Sequence, residues 1–316
     1  MNEFFVILKN VIIFVALAMP GYILVKSKML KSTDCGVLSR VLTSVGMPFL
    51  ILSGTLQIKL NSEFYLTAGI ATAIFIVVTF IIYKLTLLFF NKMDDQKKRG
   101  MMRFSVIYSN NGFLGLPLAM AVFQESAPTA IAILIIMNLL QNLITIDFGA
   151  ALVSGEKLKL STKKILLNPL LIAFVLGLIL NATGVVTALP EVKTFSDHLK
   201  NIVTPISMTI LGMKLAGVKI PDMFKSKKMY YVSALKLVLL PVIGVAIAIG
   251  ATELFSLPVD LVLATFVCFA MPTAGLASTL ADQHDGDVEG AVFYTLGSTI
   301  LSIATIPLLY LLLSLI

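Results

Sequence analysis

The chain has 316 residues, 58% of them hydrophobic and 13% charged, with a mean hydropathy of +0.98 and a net charge of +7. Soluble domains carry about 25% charged residues, so this chain cannot cover itself with a water-compatible surface. A soluble enzyme, a disordered chain and a nucleic-acid binder are excluded, and a lipid bilayer is the natural solvent. Cys35 and Cys268 lie far apart, and no Cys/His cluster has ligand spacing, so neither a disulfide, a metal site nor a cofactor is expected.

A membrane span needs about 20 mostly apolar residues. Charge clusters and Gly/Pro breaks divide the chain into ten such segments: 4–25, 38–58, 64–90, 102–123, 127–153, 164–182, 198–217, 229–250, 258–280 and 290–315. The first reads as a span rather than a cleavable leader, because Glu3 stands where a basic n-region belongs. Loops after odd-numbered segments hold eighteen Lys and Arg, among them Lys26, Arg40, Lys97, Arg99, Lys163, Lys214 and Lys228. Loops after even-numbered segments hold three, Lys59, Lys193 and Lys200. The positive-inside rule then puts the odd loops in the cytoplasm and both termini outside a plasma membrane.

The halves resemble each other at an offset of 157 residues. Pro48 matches Pro205; Asn138, Gln141, Asn142 and Thr145 match Thr295, Ser298, Thr299 and Ser302. Both quartets follow i, i+3, i+4, i+7, which is one face of a helix. Five segments per half is an odd number, so tandem halves enter the membrane from opposite sides. The expected fold is all-α: ten transmembrane helices in two inverted five-helix repeats, 1–154 and 164–316, joined by a cytoplasmic linker at 155–163.

The fourth segment carries Asn110, Asn111, Gly112, Gly115 and Pro117; the ninth carries Met271, Pro272 and Thr273. Proline lacks an N–H and clashes with the preceding turn, so both are expected to break. Interrupted segments at corresponding places in two halves point to a transport site. Half-helix N-termini carry partial positive charge and favour an anion. Asn110, Asn111, Gly112, Gly115, Pro117, Asn138, Gln141, Asn142, Met271, Pro272, Thr273 and Ser298 are therefore the candidate substrate-binding residues. Asn111→Ala is expected to abolish binding without harming the fold.

The stretch Ser109-Asn110-Asn111-Gly112-Phe113-Leu114-Gly115-Leu116-Pro117 resembles the fourth-span signature of the auxin efflux carrier family, which includes bacterial malate-permease-like proteins and plant PIN carriers. Ala270-Met271-Pro272-Thr273-Ala274 with Leu280-Ala281-Asp282-Gln283 is similar to its ninth-span signature, and Pro48 to Gly54 resembles its second span. The likeness implies broken crossover helices 4 and 9. It also implies a mobile transport domain (segments 3–5 and 8–10) on a scaffold (segments 1, 2, 6 and 7) through which a homodimer could form. The short link at 155–163 favours the prokaryotic branch.

Asp147, Lys84 and Lys236 are expected at similar depth, roughly 12 Å from the cytoplasmic loops at 1.5 Å per residue. Asp147 could pair with either lysine as a coupling or gating residue; snorkelling to the interface is the competing reading for the lysines. Asp282, Asp285 and Asp287 lack the full calcium-loop pattern and read as a solvated turn. The function expected is a secondary, elevator-type transporter of a small organic anion, a carboxylate such as malate. The alternatives are a sodium- or proton-coupled carrier of another small amphipathic substrate, and a sensor or channel on a transporter fold. No catalytic residue is expected: an aspartyl pair, an HExxH pair and a GxSxG motif are all missing.

Overall fold

The computed structural model describes residues 2–123, 127–158 and 160–315, and every regular element among these is a helix. Hydrocarbon offers backbone groups no partner, and a helix satisfies them within the segment. Six helices are long and apolar enough to cross a membrane: Phe5–Lys26, Ser32–Thr55, Ser62–Phe89, Thr129–Ser154, Lys227–Phe255 and Val288–Leu313. Shorter apolar helices, Asn111–Phe123, Pro169–Ala182 and Asp260–Ala270, fall in three of the other four predicted segments, and the seventh holds the more polar helix Val203–Ala216. Helix starts coincide with polar caps at the segment edges. Asn61 accepts from Phe64 N–H, Asp95 from Lys98 N–H, Asn168 from Leu170 N–H and Asp287 from Gly290 N–H, each satisfying a donor that has no intrahelical partner.

Large apolar side chains are exposed on the outside, and a set of polar ones is enclosed within the apolar core. Ile12, Ile76, Phe80, Ile172, Val242 and Leu308 are exposed, while Asn111, Asn138, Gln141, Lys236, Thr273 and Ser298 are buried. An apolar exterior, with polar groups confined inside where partners satisfy them, is what hydrocarbon solvent selects.

The helices pack in two groups. Asn2–Lys26 lies along Val203–Ala216, and Met47–Thr55 along Pro169–Ala182 and Glu191–Lys200. These elements come from segments 1, 2, 6 and 7. The second group comes from segments 3–5 and 8–10: Asp260–Ala270 packs on Leu240–Phe255 and on Pro128–Ile144, and Val288–Leu313 packs on Lys227–Ala234 and Gln96–Ile107.

Glycine makes the closest contact of the first group possible. A Cβ on Gly212 would fall 1.9 Å from the carbonyl oxygen of Ala18, and one on Gly21 would fall 2.0 Å from that of Thr209. Backbone-to-backbone approach of this kind drives helix association where no hydrophobic effect operates. Gly212→Val should therefore lower the thermal unfolding midpoint in detergent, with an overpacking cost of about 1–3 kcal/mol. Gly69→Ala, whose Cβ meets nothing within 4 Å, should leave it unchanged.

Candidate functional site

The fourth segment breaks after Gln96–Ile107, and the ninth after Asp260–Ala270. Tyr108 and Met271 are extended, with ψ of 121° and 150°. The two broken stretches lie antiparallel across each other, Ser109 opposite Thr273. Asn110 N–H donates to Pro272 O at 2.7 Å, and Ala274 N–H donates to Tyr108 O at 2.9 Å. Exchanging the two stretches exchanges these bonds. The two bridge residues are held alike: Ser109 N–H donates to Gln141 Oε1 and Thr273 N–H to Ser298 Oγ, each at 3.1 Å. Gln141 and Ser298 are the residues that the sequence pairs at the 157 offset.

The break therefore sits earlier than Pro117 suggests. Pro117 lies inside Leu116–Phe123, and the part of the fourth segment that faces Pro272 is Tyr108–Asn110. Pro117 still acts one turn back, where it cannot donate to a carbonyl. Phe113 O accepts instead from Ser207 Oγ of the seventh segment (3.2 Å), a hydroxyl shared with Thr204 O at 3.0 Å.

Asn111 is fully buried and fully bonded. Its Oδ1 accepts from Asn138 Nδ2 at 2.7 Å and Gln141 Nε2 at 3.0 Å; its Nδ2 donates to Gln141 Oε1 at 3.3 Å and Cys268 Sγ at 3.4 Å. Gln141 Nε2 also donates to Ser109 O, and Thr273 Oγ1 to the helix-terminal carbonyl of Ser105. Asn111, Asn138, Gln141, Thr273 and Ser298 thus hold the crossing together. The expectation that Asn111→Ala spares the fold is corrected, because the substitution strands Asn138 Nδ2 and takes from Gln141 Nε2 one of its two acceptors.

A narrower set stays open. Asn110, Gly112 and Asn142 are partly exposed, and the Asn110 carboxamide has no hydrogen bond among the described residues. Asn142 Nδ2 is bound to Asn138 O at 2.8 Å. Gly112 leaves room at Met47 and Asn138, and Gly115 lets Met271 approach. Asn111–Gly115 is a single π-helical turn that runs into Leu116–Phe123, so the first N–H groups of this half-helix have no intrahelical acceptor. The matching half of the ninth segment, Ala277–Gln283, has only seven residues and contributes a small dipole. The dipole expected from two matched halves rests chiefly on the Asn111 end.

The three membrane charges are separated. Lys236 is 0% exposed and donates to Ser109 Oγ at 2.5 Å. Asp147 accepts from Ser161 N–H at 2.7 Å, tying the fifth segment to the linker. Lys84 is exposed, 5.3 Å from the Phe80 ring centre. The pairing of Asp147 with either lysine is therefore not found among the described residues; equal depth did not mean a shared face. The acidic turn is structural: Asp287 caps the tenth segment, and Asp285, its carboxyl held below the usual range by the hydrogen bond from Lys97, ties to the fourth.

Sequence reading placed Lys214 among the loop cations. It lies instead in the last turn of Val203–Ala216 and donates to Gly275 O at 2.9 Å and Ser278 Oγ at 3.0 Å, across the two helix groups. The segment bounds 198–217 already enclosed it, and the 157 offset pairs it with Gln57, itself inside a segment.

Asn111→Ala should lower the thermal midpoint in detergent, each stranded buried polar group costing about 1–3 kcal/mol. Asn110→Ala should leave the midpoint at the wild-type value; circular dichroism melts compare the two.

Residues 5–310 match the sequence model of a family described as membrane transport protein. An uncharacterized transporter from Methanothermobacter thermautotrophicus is 26% identical over 311 residues, covering 95% of this chain and 96% of its own.

Proposed function

The chain belongs to the membrane transport protein family, and from that premise we propose that it is a secondary transporter of small organic anions, carboxylates of the malate type among them. In this reading its ten segments form two inverted repeats, and segments 3–5 and 8–10 move as an elevator against segments 1, 2, 6 and 7. The observation that carries the reading is the crossing itself: a pair of backbone hydrogen bonds that map onto each other when the halves are exchanged, braced by side chains at one sequence offset. The partition of helix packing into the same two sets supports the moving parts.

Anion preference follows from the donors left over. The Asn110 amide and the N–H groups of the Asn111 half-helix are neutral donors beside an unpaired backbone turn, and they suit a carboxylate. Lys236, buried against Ser109 with no carboxylate in salt-bridge range among the described residues, adds positive potential from behind the crossing. In this reading it is the coupling residue. Asp147 gates through its hold on the linker, and Lys84 anchors the lipid face. An apolar cavity of about 150 Å³ between the helix groups, lined by Phe14, Leu114, Leu118, Met208 and Ile303, favours a substrate with an apolar part as the second reading.

Counterflow in proteoliposomes decides the substrate class. Wild-type protein should exchange labelled malate against a subset of mono- and dicarboxylates. Asn110→Ala should cut exchange at least about ten-fold, the loss of one good hydrogen bond to a charged group, with unchanged melting. Exchange of cations or neutral amines alone would refute the reading. Asp147→Asn with unaltered rate and pH dependence would remove it from the gate.

A further inference from the structure

Lys214 is not used by the site as described above. Its ammonium has three donors, two of them on the neutral acceptors Gly275 O and Ser278 Oγ. No carboxylate lies within salt-bridge distance of it among the described residues. Gly275 precedes the short helix Ala277–Gln283, so its carbonyl belongs to the broken stretch. The same residue borders the open carboxamide: a Cβ on Gly275 would lie 3.8 Å and 3.9 Å from the Nδ2 and Oδ1 of Asn110, and 3.5 Å from the Phe113 ring. The lysine therefore rests on the rim of the Asn110 space, at the end of the seventh segment that the loop charges assign to the cytoplasm.

We propose that Lys214 admits and selects the anion from the cytoplasmic side: without substrate its ammonium is parked on Gly275 and Ser278, and an arriving carboxylate draws it off them. The inference rests on the transport reading above. A carboxylate offers the ammonium a full opposite charge, whose attraction in a low-dielectric seam exceeds that of the carbonyl and hydroxyl dipoles it leaves, so the exchange runs toward the anion. It also frees the turn at 275–278 from the seventh segment. At the opposite end of the inverted halves the offset mate is Gln57, which is uncharged and spends its Nε2 on Ser53 O at 3.2 Å. The offset mate of Lys214 therefore offers no ammonium on that face.

The test uses full-length protein in oriented proteoliposomes with L-malate, or the best carboxylate of the counterflow panel, as probe. Lys214→Gln should raise KM at the cytoplasmic face about ten-fold, as expected for a lost charge-assisted bond, and leave kcat and the outer-face KM near wild type. Lys214→Arg should restore it. Hydrogen exchange at 275–283 should speed up in wild type when malate is added; in Lys214→Gln it should be fast already and indifferent to malate. A merely structural lysine would lower kcat and stability on both faces alike, and that outcome overturns the proposal. So does an unchanged cytoplasmic KM in Lys214→Gln beside an active wild type. A wild type that moves no carboxylate at all refutes the transport reading and, with it, this one.

Discussion

A peptide group with no partner is intolerable in hydrocarbon, and everything distinctive about this protein follows from how it handles two of its own interruptions. Two segments stop being helical in mid-course, which frees N–H and C=O groups where no water reaches. The chain answers by laying one interruption across the other. Asn110, Pro272, Ala274 and Tyr108 satisfy each other through a two-bond antiparallel bridge, and side chains from the fifth and tenth segments take up the N–H groups that remain. The crossing is thus closed upon itself before any ligand arrives.

That closure divides the polar interior by role. Buried amides in low dielectric must be bonded fully, because a half-satisfied network costs more than an apolar one. Asn111, Asn138 and Gln141 meet this demand among themselves and brace the crossing. What is left for chemistry is the small remainder that faces the seam between the helix groups: the Asn110 carboxamide, the start of one half-helix and a lysine from the facing side. A rigid, self-satisfied platform with a few unspent donors at its edge is how a site holds a guest without holding it too tightly.

Much of this was legible in the sequence. The i, i+3, i+4, i+7 quartets mark a helix face regardless of what lies opposite, and Gln141 and Ser298 do perform equivalent tasks. Family membership bears out the resemblance carried by residues 109–117 and 270–283. Individual surroundings were not legible. Asn110 and Asn111 are neighbours, yet one stays partly exposed in the break and the other is fully buried at the start of the next helix, a difference that composition cannot express. Likewise Asp147 and Lys84, expected at one depth, have separate partners, Ser161 and the Phe80 ring. The register of the breaks was misread because proline was taken as the break point. Pro272 sits in its break, whereas Pro117 lies in the helix that follows. Lys214 was hidden by its position: a cation near a segment end counts toward orientation whether it points to water or inward.

Pro117 illustrates a wider consequence. A proline in a helix is usually counted as a loss of one internal bond, but the acceptor it releases becomes available to a neighbour. Phe113 O has been exported in this way, from the fourth segment's own ladder to a hydroxyl on the seventh. One neutral hydrogen bond is worth about 0.5–1.5 kcal/mol net; in the elevator proposed above, that is enough to favour one alignment of the two surfaces and too little to weld them. Ser207 keeps a second acceptor in Thr204 O on its own helix, so its hydroxyl would stay satisfied if the contact parted. In that proposal the proline is a detent, a shallow notch that registers one position and lets go cheaply.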